Sequence, residues 1–370
     1  MTCSALYEWS GPEYFGPHHK NPCTWTGELT RAQQKAADRI VQAILNREQE
    51  LLTWAVCGAG KTEMLFPGIA QALEMGQRVC IATPRSDVVR ELLPRLRTAF
   101  SGICVQGLYG GSLEKDGTAQ LIIATTHQLL RFKHAFDVII IDEVDAFPYT
   151  HDPSLPFAAD RAKKERCTTL YLTATPRRDQ QLQMTRKKLP HVFVPVRFHG
   201  YPLPVPVFHM CYSLKKDLQK SSPPKAFFKW FANRKNQSRQ LLIFVPTIKL
   251  SESLTRKLSV DLPDFKFMAV HASDHDREEK VLAFREKQFQ ILVTTTILER
   301  GVTFPSVDVV ILDAGHTVFD EAALVQIAGR AGRSPDDPTG EVVFFHDGKT
   351  EAMIEAVRAI TKMNKRGGFH

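Results

Sequence analysis

The sequence predicts two α/β domains, each a parallel sheet faced by helices, and three observations carry that expectation. Its 370 residues exceed twice the ~150 of a typical domain. Short apolar runs alternate with amphipathic stretches, the pattern of buried parallel strands joined by helices. The alternation occurs twice, on either side of a proline-rich break, YPLPVPV at 201–207.

Taken in order, residues 1–24 are rich in Gly, Pro, Asn and aromatics and show no period, so an irregular arm is expected. From Leu29, LTRAQQKAADRIVQAI places Ala32, Ala36, Ile40 and Ile44 at near-helical spacing behind Thr30 as N-cap. The runs LLTWAV, VCIAT, LIIATT, FDVIIID and TLYLTAT read as strands of a first domain over 25–200. Three prolines at 201–207 exclude helix and force extended backbone, which suits an interdomain crossing. LLIFVPT, FKFMAVHA, FQILVTTT, VDVVILD and EVVFFHD rebuild the pattern in a second domain, 201–370, closed by a helix near 351–363. Such halves are expected to enclose a cleft, with ligands beyond the carboxyl ends of the strands.

Composition excludes several classes. With 43% hydrophobic and 24% charged residues the chain is neither disordered nor membrane-spanning, since no apolar run nears the ~20 residues a bilayer requires. The seven cysteines are odd in number and form no C-x-x-C pair, which argues against a disulfide framework or zinc ribbon and for a reducing cytoplasm. MTCSALYEWSGPEYF has neither a basic nor an apolar signal region, so nothing directs export. The net charge of +8 is shared evenly by the halves, which points to a polyanion partner touched by both.

Three motifs carry chemistry. AVCGAGKT at 55–62 lies between a strand and a helix and matches a phosphate loop, except that Ala55 stands where the first glycine usually does. Gly58, Ala59 and Gly60 let backbone N–H groups face phosphate oxygens. Lys61 would reach the β and γ phosphates, and Thr62 would ligate magnesium. The plainer alternative is a glycine-rich turn. Asp142-Glu143-Val144-Asp145 directly follows the apolar run Phe136 to Ile141. Asp142 would hold magnesium and Glu143 would orient the attacking water, against the alternative of a solvated acidic turn. QIAGRAGR at 326–333 places Arg330 and Arg333 three apart, on one face if helical, where both would reach a γ phosphate as arginine fingers; a surface helix with two arginines is the alternative.

In this order the motifs resemble those of superfamily 2 helicases and translocases, over residues 25–348. That resemblance implies RecA-like domains with a nucleotide cleft between them. LTRAQ at 29–33 resembles the adenine-reading element, with Gln33 on the base edge, and Gln326 joins the nucleotide site. Thr83-Pro84-Arg85 and Thr125-Thr126-His127 resemble strand-end elements that hold the nucleic-acid backbone. Thr173-Ala174-Thr175 resembles the element coupling hydrolysis to domain movement, to which Asp145 is assigned. TTTILERGVT at 294–303, with Thr294, Thr295, Glu299, Arg300 and Gly301, resembles the second-domain element that touches nucleotide and nucleic acid.

DEVDAFPY, ATTHQLL, TTILERGVTFP, QIAGRAGRS and FFHDG together are similar to the ComFA family, late-competence ATPases of Gram-positive bacteria. The resemblance implies an ATP- and magnesium-dependent motor on single-stranded DNA that works with competence proteins and the DNA-uptake channel, peripheral to the inner face of the cell membrane. The family opens with a four-cysteine zinc module. Here only Cys3 and Cys23 precede the motor, so zinc is not expected, and His18 and His19 are read as part of the arm. A duplex or RNA helicase, and an adaptor using ATP as a switch, are the alternatives. The basic run at 161–188 is a solvated or a DNA-facing surface, and Phe227, Phe228, Trp230 and Phe231 are expected to pack a second-domain core.

Overall fold

The computed structural model describes residues 15–369, and the chain divides into two compact units after Phe198. The first runs α1 (Arg31–Leu45), β1 (Glu50–Ala55), α2 (Lys61–Glu74), β2 (Val79–Thr83), α3 (Ser86–Ala99), β3 (Val105–Leu108), β4 (Leu121–Thr125), β5 (Phe136–Ile141), α4 (Ser154–Ala162), β6 (Lys163–Thr173), α5 (Arg178–Thr185) and β7 (His191–Val194). Its seven strands are parallel and ordered β3-β4-β2-β5-β6-β1-β7. Because helices cover both faces, β2 and β4 are buried at every position and read as unbroken apolar runs. The pleat sorts them: Val79 and Ile81 enter one core with α1, α2 and α3, whereas Cys80 and Ala82 enter another with α4.

Local chemistry explains the helices. Thr30 caps α1 in a reciprocal box with Gln33, and Ala36, Ala37, Ile40 and Ile44 form its buried face. The kink that Pro67 predicts is not a break, since α2 runs as one element through it. Pro67 lies about two turns into the fourteen-residue helix, and Phe66, Ile69 and Leu73 anchor both sides of it in the core. Residues 15–24 form no regular element but are fixed by backbone bonds from Gly16 to Gly76 (2.9 Å) and from Thr24 to Ala99 (2.7 Å). His18 pairs with the Glu74 carbonyl, His19 with Gln120, and Cys23 packs on the core; Cys3 lies outside the described residues.

The second unit continues with β8 (Val207–Met210), α6 (Leu214–Gln219), α7 (Lys225–Ala232), β9 (Gln240–Phe244), α8 (Ile248–Asp261), β10 (Phe267–Val270), α9 (Arg277–Arg285), β11 (Ile291–Thr294), β12 (Val307–Leu312), α10 (Glu321–Ala328), β13 (Val342–His346) and α11 (Glu351–Arg366). Its six parallel strands are ordered β10-β11-β9-β12-β13-β8. Phe227 and Phe231 of α7 stack at 5.9 Å inside the core, with Phe228 and Trp230 against it. The prolines at 201–207 belong to this unit's fold: Asn364 binds both the N–H and the carbonyl of Leu203, each at 2.8 Å.

Two expectations change. The basic run at 161–188 is not one surface, because β6 is eleven residues long and separates its ends by about 30 Å. Lys164 at one end is buried against Asp137 at 3.0 Å, while Arg177 and Arg178 follow the other. Arg330 and Arg333 do not share a helix face either. The α10 helix ends at Ala328, with Gly329 as its C-cap, and Gly332 takes φ +61, so both arginines lie in the turn beyond it.

Candidate nucleotide and nucleic-acid site

Between β1 and α2, Gly58 and Gly60 adopt φ +79 and +72, the left-handed region that glycine enters without Cβ strain. Gly60 is the N-cap of α2, and no side chain caps it, so first-turn N–H groups remain for an anion beside Lys61 and Thr62. Ala55 is fully buried at the end of β1. Gln33 is buried too. Its Nε2 donates to the Ala59 carbonyl at 2.9 Å and its Oε1 accepts from Thr30 N–H at 2.8 Å, so the amide stitches the α1 cap to the loop. One N–H and one lone pair of the amide take no part in these two bonds.

A feature missed in the sequence lies against the same loop. Phe198 N–H donates to the Gly58 carbonyl at 3.0 Å, and a Cβ on Gly58 would sit 3.7 Å from the Arg197 side chain. A lone arginine in FVPVRF gave no signal for this, because only the pairing of β7 with β1 brings it there.

The carboxylates follow β5, and each is held differently. Asp142 Oδ1 accepts from Glu143 N–H at 2.9 Å. Burial pushes the Asp142 carboxyl up to about 6, against the pull of Lys61. Glu143 has φ +55, uncommon for a non-glycine, and its Oε2 is buried without a hydrogen bond among the described residues. Asp145 is clamped: Thr173 Oγ1 donates to Oδ1 at 2.6 Å and Thr175 Oγ1 to Oδ2 at 2.5 Å. A buried, cation-seeking aspartate, an unsatisfied glutamate oxygen, a lysine and a helix N-terminus form a donor set that fits a magnesium nucleotide.

Sheet order sets the sequence of these groups in space. From one side, β4 ends at Thr125, β2 at Thr83, β5 at Asp142, β6 at Thr173 and β1 at the phosphate loop. Thr83 and Thr125 are register partners, and the strands between Thr83 and the loop span about 15 Å. Pro84 and Arg85 continue from Thr83 into α3, and Thr126 and the exposed His127 open the 3₁₀ turn after β4. The hydroxyls of Thr83 and Thr126 are buried without hydrogen-bond partners among the described residues.

In the second unit, Thr294 ends β11 and its hydroxyl donates to the Val270 carbonyl at 2.8 Å. Thr295 and a 3₁₀ turn lead to Glu299, Arg300 and Gly301, the last at φ +76. Arg330 Nε donates to the Glu299 carbonyl at 3.0 Å, so two motifs far apart in sequence meet. Arg333 Nε donates to Gly329 O at 2.9 Å, and Gln326 is buried on α10.

Comparisons with known proteins bear on the family and the fold. The model of the type III restriction enzyme res subunit matches residues 26–178, and that of the helicase conserved C-terminal domain matches 224–335. Competence protein ComFA of Bacillus subtilis (strain 168) is 48% identical over 92% of this chain and 73% of its own length. Competence protein ComFA of Streptococcus pneumoniae is 40% identical over 93% of this chain and 79% of its own. Among solved structures, S. cerevisiae Dbp5 bound to RNA and ADP BeF3 has a TM-score of 0.65 at 18% identity, covering 90% of this chain and 91% of that one, a likeness of fold. With two RecA-like domains and the helicase motifs in place, the chain belongs to the ComFA family of competence proteins, helicase-like ATPases of superfamily 2.

Proposed function

We propose that this protein is an ATP-driven motor on single-stranded DNA that supports import of transforming DNA, with its motor units at 25–200 and 201–370. Its relatives' name, competence protein, supports the setting, and a peripheral place at the cytoplasmic face of the membrane goes with it. No helix among the described residues is long and apolar enough to cross a membrane.

Bound magnesium would neutralise phosphate charge and fix the nucleotide for in-line attack. Lys61 and the loop amides hold the phosphates, with Gln33 and Gln326 completing nucleotide recognition. Thr62 and Asp142 hold the metal, and Glu143 orients water. Arg330 and Arg333 stabilise charge developing on the γ phosphate. Thr83, Pro84, Arg85, Thr125, Thr126, His127, Thr294 and Thr295 grip the DNA backbone. Asp145, Thr173, Thr175, Glu299, Arg300 and Gly301 couple hydrolysis to movement.

The observation that carries this reading is the strand order, which puts the clamped Asp145 and the carboxylates between the threonine ends and the phosphate loop. The test is ATP turnover with single-stranded DNA, blunt duplex or RNA. Strong stimulation by single-stranded DNA alone is expected. Equal stimulation by RNA would make it an RNA helicase, duplex preference a duplex helicase, and none at all a nucleotide-switched adaptor.

A further inference from the structure

The chain after the catalytic carboxylates holds an aromatic ring out to solvent. Val144, Tyr149 and Leu155 are buried in the core under β5, and Ala146 is buried as well. Between these anchors Phe147 is 71% exposed, and its ring lies 5.6 Å from that of His151. The surroundings are those of the nucleic-acid motif. Asp152 is held below the usual carboxylate range first by hydrogen bonds from Ser154, with the nearby His127 also contributing. The 3₁₀ turn Thr126–Arg131, which carries His127, Leu130 and Arg131, packs on α4, the helix that follows this loop.

We infer that Phe147 is a stacking platform for an unpaired nucleobase and that its occupancy repositions Glu143. An aromatic face binds any base, so it suits a motor that follows one strand regardless of sequence. A duplex keeps its bases inside the stack and offers none to such a ring. The inference rests on the single-stranded DNA reading above and deepens it, by giving the polymer a direct route to the hydrolytic carboxylate.

The route is short. Phe147 lies two residues beyond Asp145, whose carboxylate Thr173 and Thr175 fix, and four beyond Glu143. Ala146 N–H donates to the Glu143 carbonyl at 2.8 Å, closing a turn that ties the loop to the glutamate's backbone. With Asp145 pinned, a base settling on Phe147 acts on Glu143 through the bond from Ala146 N–H to the Glu143 carbonyl. Glu143, at φ +55 with Oε2 buried and unbonded, is poised to change its orientation. Phe147 is therefore a positioning residue for hydrolysis and a contact residue for DNA.

The test compares the intact protein with Phe147→Ala and Phe147→Trp, using oligo(dT) as the probe. Phe147→Ala is expected to keep the melting temperature, raise the oligonucleotide concentration for half-stimulation about tenfold, and reduce the stimulation at saturation severalfold. Phe147→Trp should retain stimulation, and its added fluorescence should be quenched by oligo(dT) beyond any change in the parent. Stimulation of Phe147→Ala equal to the parent's, or an unquenched Phe147→Trp, overturns the inference. A parent that oligo(dT) does not stimulate overturns the single-stranded DNA reading instead, so the two failures are separable.

Discussion

At Glu143 a backbone conformation that costs about 1–3 kcal/mol coincides with a buried oxygen that has no hydrogen bond among the described residues. Glu143→Gln keeps the shape and removes the charge that orients water, so nucleotide affinity should persist while turnover falls by orders of magnitude. Lys61→Ala removes the charge facing the phosphates, and binding itself should be lost. Nucleotide titration alongside single-turnover hydrolysis distinguishes the two, and normal turnover in Glu143→Gln would remove that residue from its role. These candidate positions stood out in the sequence because phosphate and magnesium chemistry restricts both residue type and spacing. Arg197, set against Gly58, and the exposed ring of Phe147 were not, since an arginine or phenylalanine is ordinary until the fold shows what it touches.

Among elements, most strands were visible as apolar runs, the four-residue β10 and β11 included, whereas β3, β7 and β8 were hidden. Each has four residues, and VQGL, HVFV and VFHM carry polar or glycine positions that blur the period. The turn at 329–333 was hidden for another reason: helix spacing looked intact, but Gly329 caps α10 and Gly332, whose added Cβ would strike the Pro338 carbonyl, forbids continuation. The end of β13 gives a prediction of its own. His346 is buried, and desolvation, with help from Lys349, lowers its proton affinity below the ordinary histidine value. The unfolded chain then binds more protons, so stability is complete above the unfolded pKa of about 6.5 and is lost as pH falls through the depressed folded value. His346→Phe removes the titrating group while filling the site. Its melting temperature should drop less between pH 7 and pH 5 than the parent's; an equal drop would assign the acid sensitivity to other groups.

For the whole molecule, the even division of the +8 charge predicts a DNA affinity that falls steeply with salt and draws on both units. The division of chemistry is not even. Lys61, Thr62, Asp142 and Glu143 all stand in the first unit, on a sheet with its own core, while Arg330 and Arg333 stand in the second, tied to its own loops. Residues 15–198 expressed alone should therefore fold with a cooperative melt and bind a magnesium nucleotide. They should hydrolyse it slowly, because arginines that stabilise transferring phosphate are worth roughly 10³–10⁵ in rate. In the intact chain, Arg333→Ala should approach the same low rate with an unchanged melting temperature, whereas Arg330→Ala, which also removes a buried side chain and its bond to the Glu299 carbonyl, should lower both rate and melting temperature; lysine should not rescue the rate of either, since it lacks the planar fork. If the isolated first unit turned over ATP as fast as the intact chain with single-stranded DNA, hydrolysis would need nothing from the second unit. The two arginines would then be structural parts of their own turn, and coupling between the units would have to be sought elsewhere.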